Sequence, residues 1–274
     1  MTLKKQIAMR VALGIQGFRV CVLASGSKGN AVYVSDGKTS VLLDAGLSAV
    51  EIERRFHSRK LDPKRLDAIV VSHEHLDHIR GVGVLSRRYR LPVYINEPAL
   101  ATAKTQLGAL HATIRFNRGE AFSIGGLSFH PFSVSHDASD SLGFTIKNSL
   151  TKIGIATDLG VATQLVCHHL KGCKLIVLEA NHDRRMLEEG PYPWHVKQRI
   201  QSRLGHLSNE ESRDLLEKVS HSALKHVILA HISETNNDPD KALSVVGEAV
   251  SHHRTQLSVA CQHVAGDIVN LEDD

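Results

Sequence analysis

A chain of 274 residues, 42% apolar and 23% charged, can fill one large core or two small ones and is not a disordered sequence. Its net charge of +4 permits an anionic partner without demanding one. No run approaches the roughly 18 apolar residues of a membrane span, and Arg10 interrupts the apolar stretch near the start, so neither a transmembrane helix nor a signal peptide is expected.

Residues 1–17 read as a short N-terminal extension and residues 18–274 as a single domain. Short β-branched runs predict strands over 18–23, 31–35 and 40–43, with the tight turn Asp36-Gly37 between the last two. A helix is expected over 49–59, a strand over 68–72, and helices over 78–90 and 98–107. Strands follow over 127–135, 142–147 and 152–156, then a helix over 161–169 and a strand over 174–179. Residues 181–208, with Arg184, Arg185, Pro191, Pro193 and Trp194, are polar and irregular, as a functional loop or lid would be. Ser208 before Asn209-Glu210-Glu211 starts a helix over 209–220, a strand spans 227–230, and Asp238-Pro239 starts a helix over 239–253. Helices intersperse without one repeating strand-helix-strand unit, which favours a mixed, layered α/β domain over a doubly wound parallel sheet.

Histidine stands out with 18 copies, more than a core needs when every buried imidazole wants a partner. Cys21, Cys167, Cys173 and Cys261 form no Cys-x-x-Cys pair, so a cysteine zinc site is not expected and a reducing cytoplasm fits. The decisive segment is Ile69-Val-Val-Ser-His73-Glu-His75-Leu-Asp77-His78. An apolar strand ends at Ser72, and in an extended turn His73 and His75 point to the same side. If a helix starts near Asp77, His78 returns to the same mouth. Three imidazoles and a carboxylate can thus converge, a donor set suited to divalent ions of borderline softness.

This segment resembles the signature of the metallo-β-lactamase superfamily, which implies a four-layer αββα sandwich with mixed sheets and metals at one sheet edge. Later ligands then follow three more apolar runs: His136 after Phe132-Ser-Val-Ser, Asp158 after Ile153-Gly-Ile-Ala-Thr, and His231 after Val227-Ile-Leu-Ala. By resemblance, His73, His75 and His136 would bind one divalent ion, and Asp77, His78 and His231 a second. Asp158 would bridge them. Either zinc or manganese suits such a set.

Gly205-His206-Leu-Ser is similar to the Gly-His-Ser-Thr proton-relay motif of ribonuclease Z, which implies His206 as general acid and Glu179 as the residue orienting it. Glu179 could equally be a strand-end carboxylate paired with an arginine, and His182 either a second proton carrier, a phosphate contact or an ordinary loop residue. The glycines of Ser25-Gly26-Ser27-Lys28-Gly29-Asn30 permit a tight turn, while Lys28 and Asn30 add donors that could face a phosphate.

With Leu43-Asp44-Ala-Gly46-Leu-Ser48, Ala156-Thr-Asp158-Leu-Gly160, Glu179-Ala-Asn-His182-Asp183 and His206-Leu-Ser-Asn209, the run resembles the YycJ/WalJ family from about Phe18 to Asn270. The resemblance implies a cytoplasmic 5′-to-3′ exonuclease on double-stranded DNA, using a metal-bridging hydroxide, with Asp77, His206 and Glu179 as catalytic residues. Ser27, Lys28, Asn30, His182 and Asn209 are then the candidates for substrate contact, and Tyr192 and Trp194 the pair placed to stack on a terminal base. Arg184, Arg185, Lys197, Arg199 and Arg203 flank the lid as candidates for backbone contacts. The competing reading is a small-molecule or cyclic phosphodiesterase, or a ribonuclease Z-like hydrolase, of the same fold.

Overall fold

A computed structural model describes residues 17–252 and 254–271, so nearly all of the expected N-terminal extension lies outside the described residues. The chain first lays down β1 (Phe18–Ala24), β2 (Ala31–Ser35), β3 (Ser40–Leu43), β4 (Ala68–Val70), β5 (Pro92–Ile95) and β6 (Ala112–Arg115). A second sheet follows with β7 (Phe122–Ile124), β8 (Leu127–Ser133), β9 (Leu142–Lys147), β10 (Lys152–Ala156), β11 (Leu175–Glu179), β12 (His226–Ala230) and β13 (Gln256–Val259). Finally β14 (Val269–Leu271) returns to pair with β1, giving the orders β14-β1-β2-β3-β4-β5-β6 and β7-β8-β9-β10-β11-β12-β13.

Both sheets change character halfway. Hairpins make β1 to β3 and β7 to β10 antiparallel, after which helical crossovers make the remaining in-sequence neighbours parallel. The carboxyl ends of β3, β4, β10, β11 and β12 consequently open at one edge, where open α/β sheets place their ligands.

Phe18, Val20, Val41, Phe129, Phe144, Ile153 and Val177 meet between the sheets. Cys21 and Leu23 of β1 point the other way, into a cluster with Ile52 and Phe56 of α1 (Ala49–Ser58). Burial on both faces explains why these strands read as continuous apolar runs. Beyond them, α2 (Leu76–Ile79), α3 (Val82–Tyr89) and α4 (Glu97–Leu107) cover the first sheet with α1. The outer face of the second is covered by α5 (Gln164–Leu170), α8 (Asn209–Val219) and α9 (Pro239–Gly247), through Val166, Leu170, Leu215, Leu216 and Val246. The result is the expected αββα sandwich of mixed sheets.

The expected helix over 78–90 is broken in two at Gly81. Its N–H bonds the Ala45 carbonyl at 2.7 Å, and a Cβ there would lie 2.5 Å from the Leu47 oxygen. The irregular stretch after β11 contains two short helices, α6 (Arg184–Glu189) and α7 (Trp194–Ile200). Ser208 and Glu211 form a reciprocal capping box at α8, and Asp238 caps α9 ahead of Pro239. The last helix stops at Gly247 and continues as a short 3₁₀ turn rather than reaching 253. No helix among the described residues is long and apolar enough to cross a membrane.

Candidate metal centre and active site

Seven side chains expected to ligate arrive at the open edge from four strand ends. His73, His75, Asp77 and His78 follow β4, with His75 the N-cap residue of α2; His136 follows β8, Asp158 β10 and His231 β12. Donor atoms of His73, His75 and His136 lie within 4.8 Å of one another, as do those of Asp77, His78 and His231. Asp158 joins His73 and His78 in a third such group. Its carboxylate stands 3.3 Å from Nε2 of His78 and 3.3 Å from Nε2 of His231.

Backbone geometry contributes. Asp44, Asp158 and His231 take φ values of +59°, +57° and +55°, a region that Asp and His tolerate better than most residues. The chain turns sharply as it leaves β3, β10 and β12, and each side chain is aimed into the edge. Gly46 permits a close crossing: its N–H bonds the Asn30 carbonyl, and a Cβ would fall 1.5 Å from the Asp77 oxygen.

The imidazoles are fixed from behind. Nδ1 of His78 donates to Asp44 Oδ2 at 2.8 Å, and the Ser72 hydroxyl donates to the same oxygen at 2.7 Å. His73 Nδ1 lies 3.0 Å from that hydroxyl, His136 Nδ1 3.3 Å from the Gly205 carbonyl, and His231 Nδ1 3.3 Å from Glu179 Oε1. Each contact leaves Nε2 turned inward. Nε2 of His73 and of His231, together with Asp158 Oδ2, are buried without a hydrogen bond. Buried polar atoms are rarely left so, and the imidazole-carboxylate set fits a divalent cation.

Protonation tells the same story. Burial lowers the His78 and His231 pKa, but Asp158 outweighs it, helped by Asp44 at His78 and by Asp77 and Glu179 at His231; both are held well above the usual histidine range. Asp158 is held well below the carboxylate range, because His231 and His78 overcome its burial. His73, buried and beside His78, is driven well below. Without a cation the centre therefore holds protons that a cation would displace.

Beside the donors lies a cavity of about 260 Å³. Asp77, Asp158, His136, His231, His206 and Ser27 line it. Val196, Arg199, Ile200 and Leu204, from α7 and the turn after it, line it as well. His206 Nδ1 donates to Glu179 Oε1 at 2.6 Å, and the Leu159 N–H donates to Glu179 Oε2 at 2.8 Å. Glu179 is fully buried, yet its pKa is lowered, since His206 and His231 outweigh the burial.

The remaining expected contacts are placed differently. Ser27 reaches the cavity, whereas the Lys28 ammonium pairs with Glu234 at 2.6 Å. Asn30 is buried, its amide donating to the Gly26 carbonyl and to Asp77 Oδ2 and lying 3.0 Å from His78 Nε2, so it is held against donor atoms of the centre itself. Asn209 is buried in mutual amide bonds with Asn237, and His182 is buried outside the cavity wall. Trp194 is 68% exposed and does not line the cavity, nor does Tyr192. Of the basic lid residues only Arg199 lines it; Arg184 and Arg185 pair with neighbouring glutamates.

Sequence reading missed the support: Asp44, Ser72, Ser25, whose hydroxyl accepts the His231 N–H at 2.6 Å, and Asn181, which donates to the His231 carbonyl at 2.8 Å. Their one visible signal was adjacency to strand ends beside the expected ligands.

A family model described as a Beta-lactamase superfamily domain matches residues 39–232. Exodeoxyribonuclease YycJ of Bacillus anthracis is 37% identical over 87% of this chain and 96% of its own length. Exodeoxyribonuclease WalJ of Streptococcus pneumoniae is 36% identical over 81% of this chain and 84% of its own. Among solved structures, the metallo-β-lactamase fold protein YhfI from Bacillus subtilis superposes with a TM-score of 0.71 at 17% identity, covering 91% of this chain and 99% of that one. That likeness is one of fold. The sequence relatives go further, and by them the chain belongs to the YycJ/WalJ exodeoxyribonuclease family of the β-lactamase superfamily.

Proposed function

We propose that this metal-dependent hydrolase holds two divalent ions, zinc or manganese, and degrades double-stranded DNA from the 5′ end. The observation that carries this reading is the convergence of seven buried or half-buried donors beside a His206–Glu179 pair, in a chain whose relatives are exodeoxyribonucleases. His73, His75 and His136 would hold one ion, Asp77, His78 and His231 the other, with Asp158 between them. Bound there, the ions would supply Lewis acidity toward a water molecule and a phosphoryl oxygen.

The chain's own residues handle the proton. Phosphodiester cleavage ends on an alkoxide, a poor leaving group that needs a proton as the bond breaks. The Nδ1–H of His206 is held by buried Glu179, which fixes the ring, and Nε2 is the nitrogen left for the cavity. Glu179 is itself anchored by the Leu159 N–H directly after Asp158, so acid and metal donors move as one body. Asn30, Asp44 and Ser72 orient ligands rather than touch substrate.

The test is a metal-supplemented assay on duplex DNA labelled at either end, RNA, and a bis-aryl phosphodiester. Early release of a 5′ label as mononucleotide is expected, with the 3′ label released last. A cavity of about 260 Å³ would also hold a cyclic nucleotide, and cleavage of small esters alone would establish that second reading instead.

A further inference from the structure

The outer wall of the cavity has a chemistry that the metal centre does not explain. Helix α7 buries none of its residues, and Trp194 and Leu204 stand 68% and 51% exposed. Even so, Val196, Ile200 and Leu204 line the same cavity as the cluster of imidazoles and carboxylates, together with Arg199. Val196 and Ile200, four residues apart, share one face of α7, and Leu204 follows from the turn beyond it, so a polar, cation-binding chamber also has an aliphatic shelf.

The shelf is registered to the proton relay. The His206 N–H bonds the Ile200 carbonyl at 2.9 Å, and Gly205 lies so close that a Cβ would come within 2.1 Å of that oxygen. Whatever flat apolar group rests on Ile200 is thereby held at a set offset from His206 and from the metal donors. A nucleotide presents that combination, with a phosphodiester on one side and an apolar ring face on the other. The space takes about one nucleotide, not a base pair.

Resting on the reading of this site as a DNA-end nuclease, we propose that Val196, Ile200 and Leu204 receive the unpaired base of the terminal nucleotide. The duplex end must then open by one pair before it is cut. A base inside a stack cannot enter so small a chamber, and its extraction costs the pairing and stacking of one step. Ends that are already open should consequently be favoured by about tenfold in kcat/KM.

The experiment compares duplexes that differ only in the terminal residue: a G·C pair, a mismatch, or an abasic residue. The mismatched end should be cut about tenfold faster than the paired one, and the abasic end should show a KM raised about tenfold. Ile200→Ala should raise KM for base-bearing ends and be nearly indifferent to removal of the base, and Val196→Ala should behave likewise. A readout without turnover uses wild-type protein in chelator and a duplex ending in 2-aminopurine, whose emission should rise on binding as the base leaves the stack.

Cleavage that ignores pairing, an Ile200→Ala penalty equal on abasic and base-bearing ends, or unchanged 2-aminopurine emission in the bound complex would each overturn the shelf. Those results leave the nuclease reading intact. Failure to cut any duplex while small phosphodiesters are hydrolysed would overturn both.

Discussion

The two walls of one cavity are built on opposite principles. On the metal side, His73, His78, His136 and His231 each have the outer nitrogen engaged, by Ser72, Asp44, the Gly205 carbonyl and Glu179 in turn. Asp44 and Glu179 are buried carboxylates in their own right, so four acids, counting Asp77 and Asp158, surround positions where cations would sit. On the other side, α7 contributes nothing to the core, and Arg199 reaches across to Asp137 through a solvent-exposed ion pair. Chemistry that must be held within tenths of an ångström is built from buried, doubly anchored groups, whereas a wall that must admit substrate is left lightly held.

The largest expected effect comes from the rigid wall. Asp158→Asn removes the carboxylate that His78 and His231 share, 3.3 Å from Nε2 of each. Metal content by elemental analysis should fall below that of the wild type, and DNA cleavage should drop to background. Full metal occupancy and activity in this variant would refute the role of Asp158. Next is His206→Ala, expected to cost roughly 10²- to 10⁴-fold in kcat on DNA. The loss should shrink on an aryl phosphodiester, whose leaving group needs little proton assistance. Equal losses on both substrates would assign His206 to something other than acid catalysis.

His182 separates stability from chemistry. It is 2% exposed, and burial pushes its pKa down to about 4 from an ordinary 6.5, so the native state keeps it neutral while the unfolded chain binds a proton. Its contribution is fully present above pH 6.5 and is lost as pH falls toward 4, about 3 kcal/mol over that window. His182→Gln should flatten the corresponding part of the acid limb in thermal unfolding measured between pH 7.5 and 4.5. A limb of unchanged slope would sink the argument. Smaller again, Asp44→Asn touches no substrate and should reduce metal affinity by about 10- to 100-fold through His78. Competition with a chelator of known affinity measures it, and metal affinity equal to wild type would remove Asp44 from the support of the centre.

What the sequence discloses follows the same division. The side chains expected to ligate were legible because each follows an apolar run at a strand end, and the turn after β4 packs four of them into six residues. Their supports were not, since an aspartate such as Asp44 at a strand end looks the same whether it closes a turn or holds an imidazole. Asn30 shows the converse: a donor in a glycine-rich turn suggested phosphate, yet its buried amide is taken up by the Gly26 carbonyl, Asp77 Oδ2 and His78 Nε2. The short strands β5, β6, β7, β13 and β14 have only three or four residues each, too few for a period to show. Tyr192 and Trp194 drew attention as aromatics, but stacking surface depends on which face of α7 meets the cavity. That face presents Val196, Arg199 and Ile200, and no aromatic ring.

The smallest effect probes the loose wall directly. Arg199 Nε donates to Asp137 Oδ2 at 2.7 Å and Nη2 lies 2.5 Å from the same oxygen, but the guanidinium side chain is 68% exposed. Water screens such a pair, and the long side chain loses freedom in making it, so its net worth falls below about 1 kcal/mol. Arg199→Gln should therefore move the unfolding midpoint by no more than about 2 °C. Hydrogen exchange should localise the change, with faster opening of amides in α7 and unaltered protection in β10, β11 and β12, whose residues are buried between sheet and helices. A midpoint lowered by many degrees, or protection lost in those strands, would mean that α7 unfolds only with the core. The cavity would then have one rigid enclosure in place of two unlike walls, and a nucleotide could enter only where the static opening already admits it.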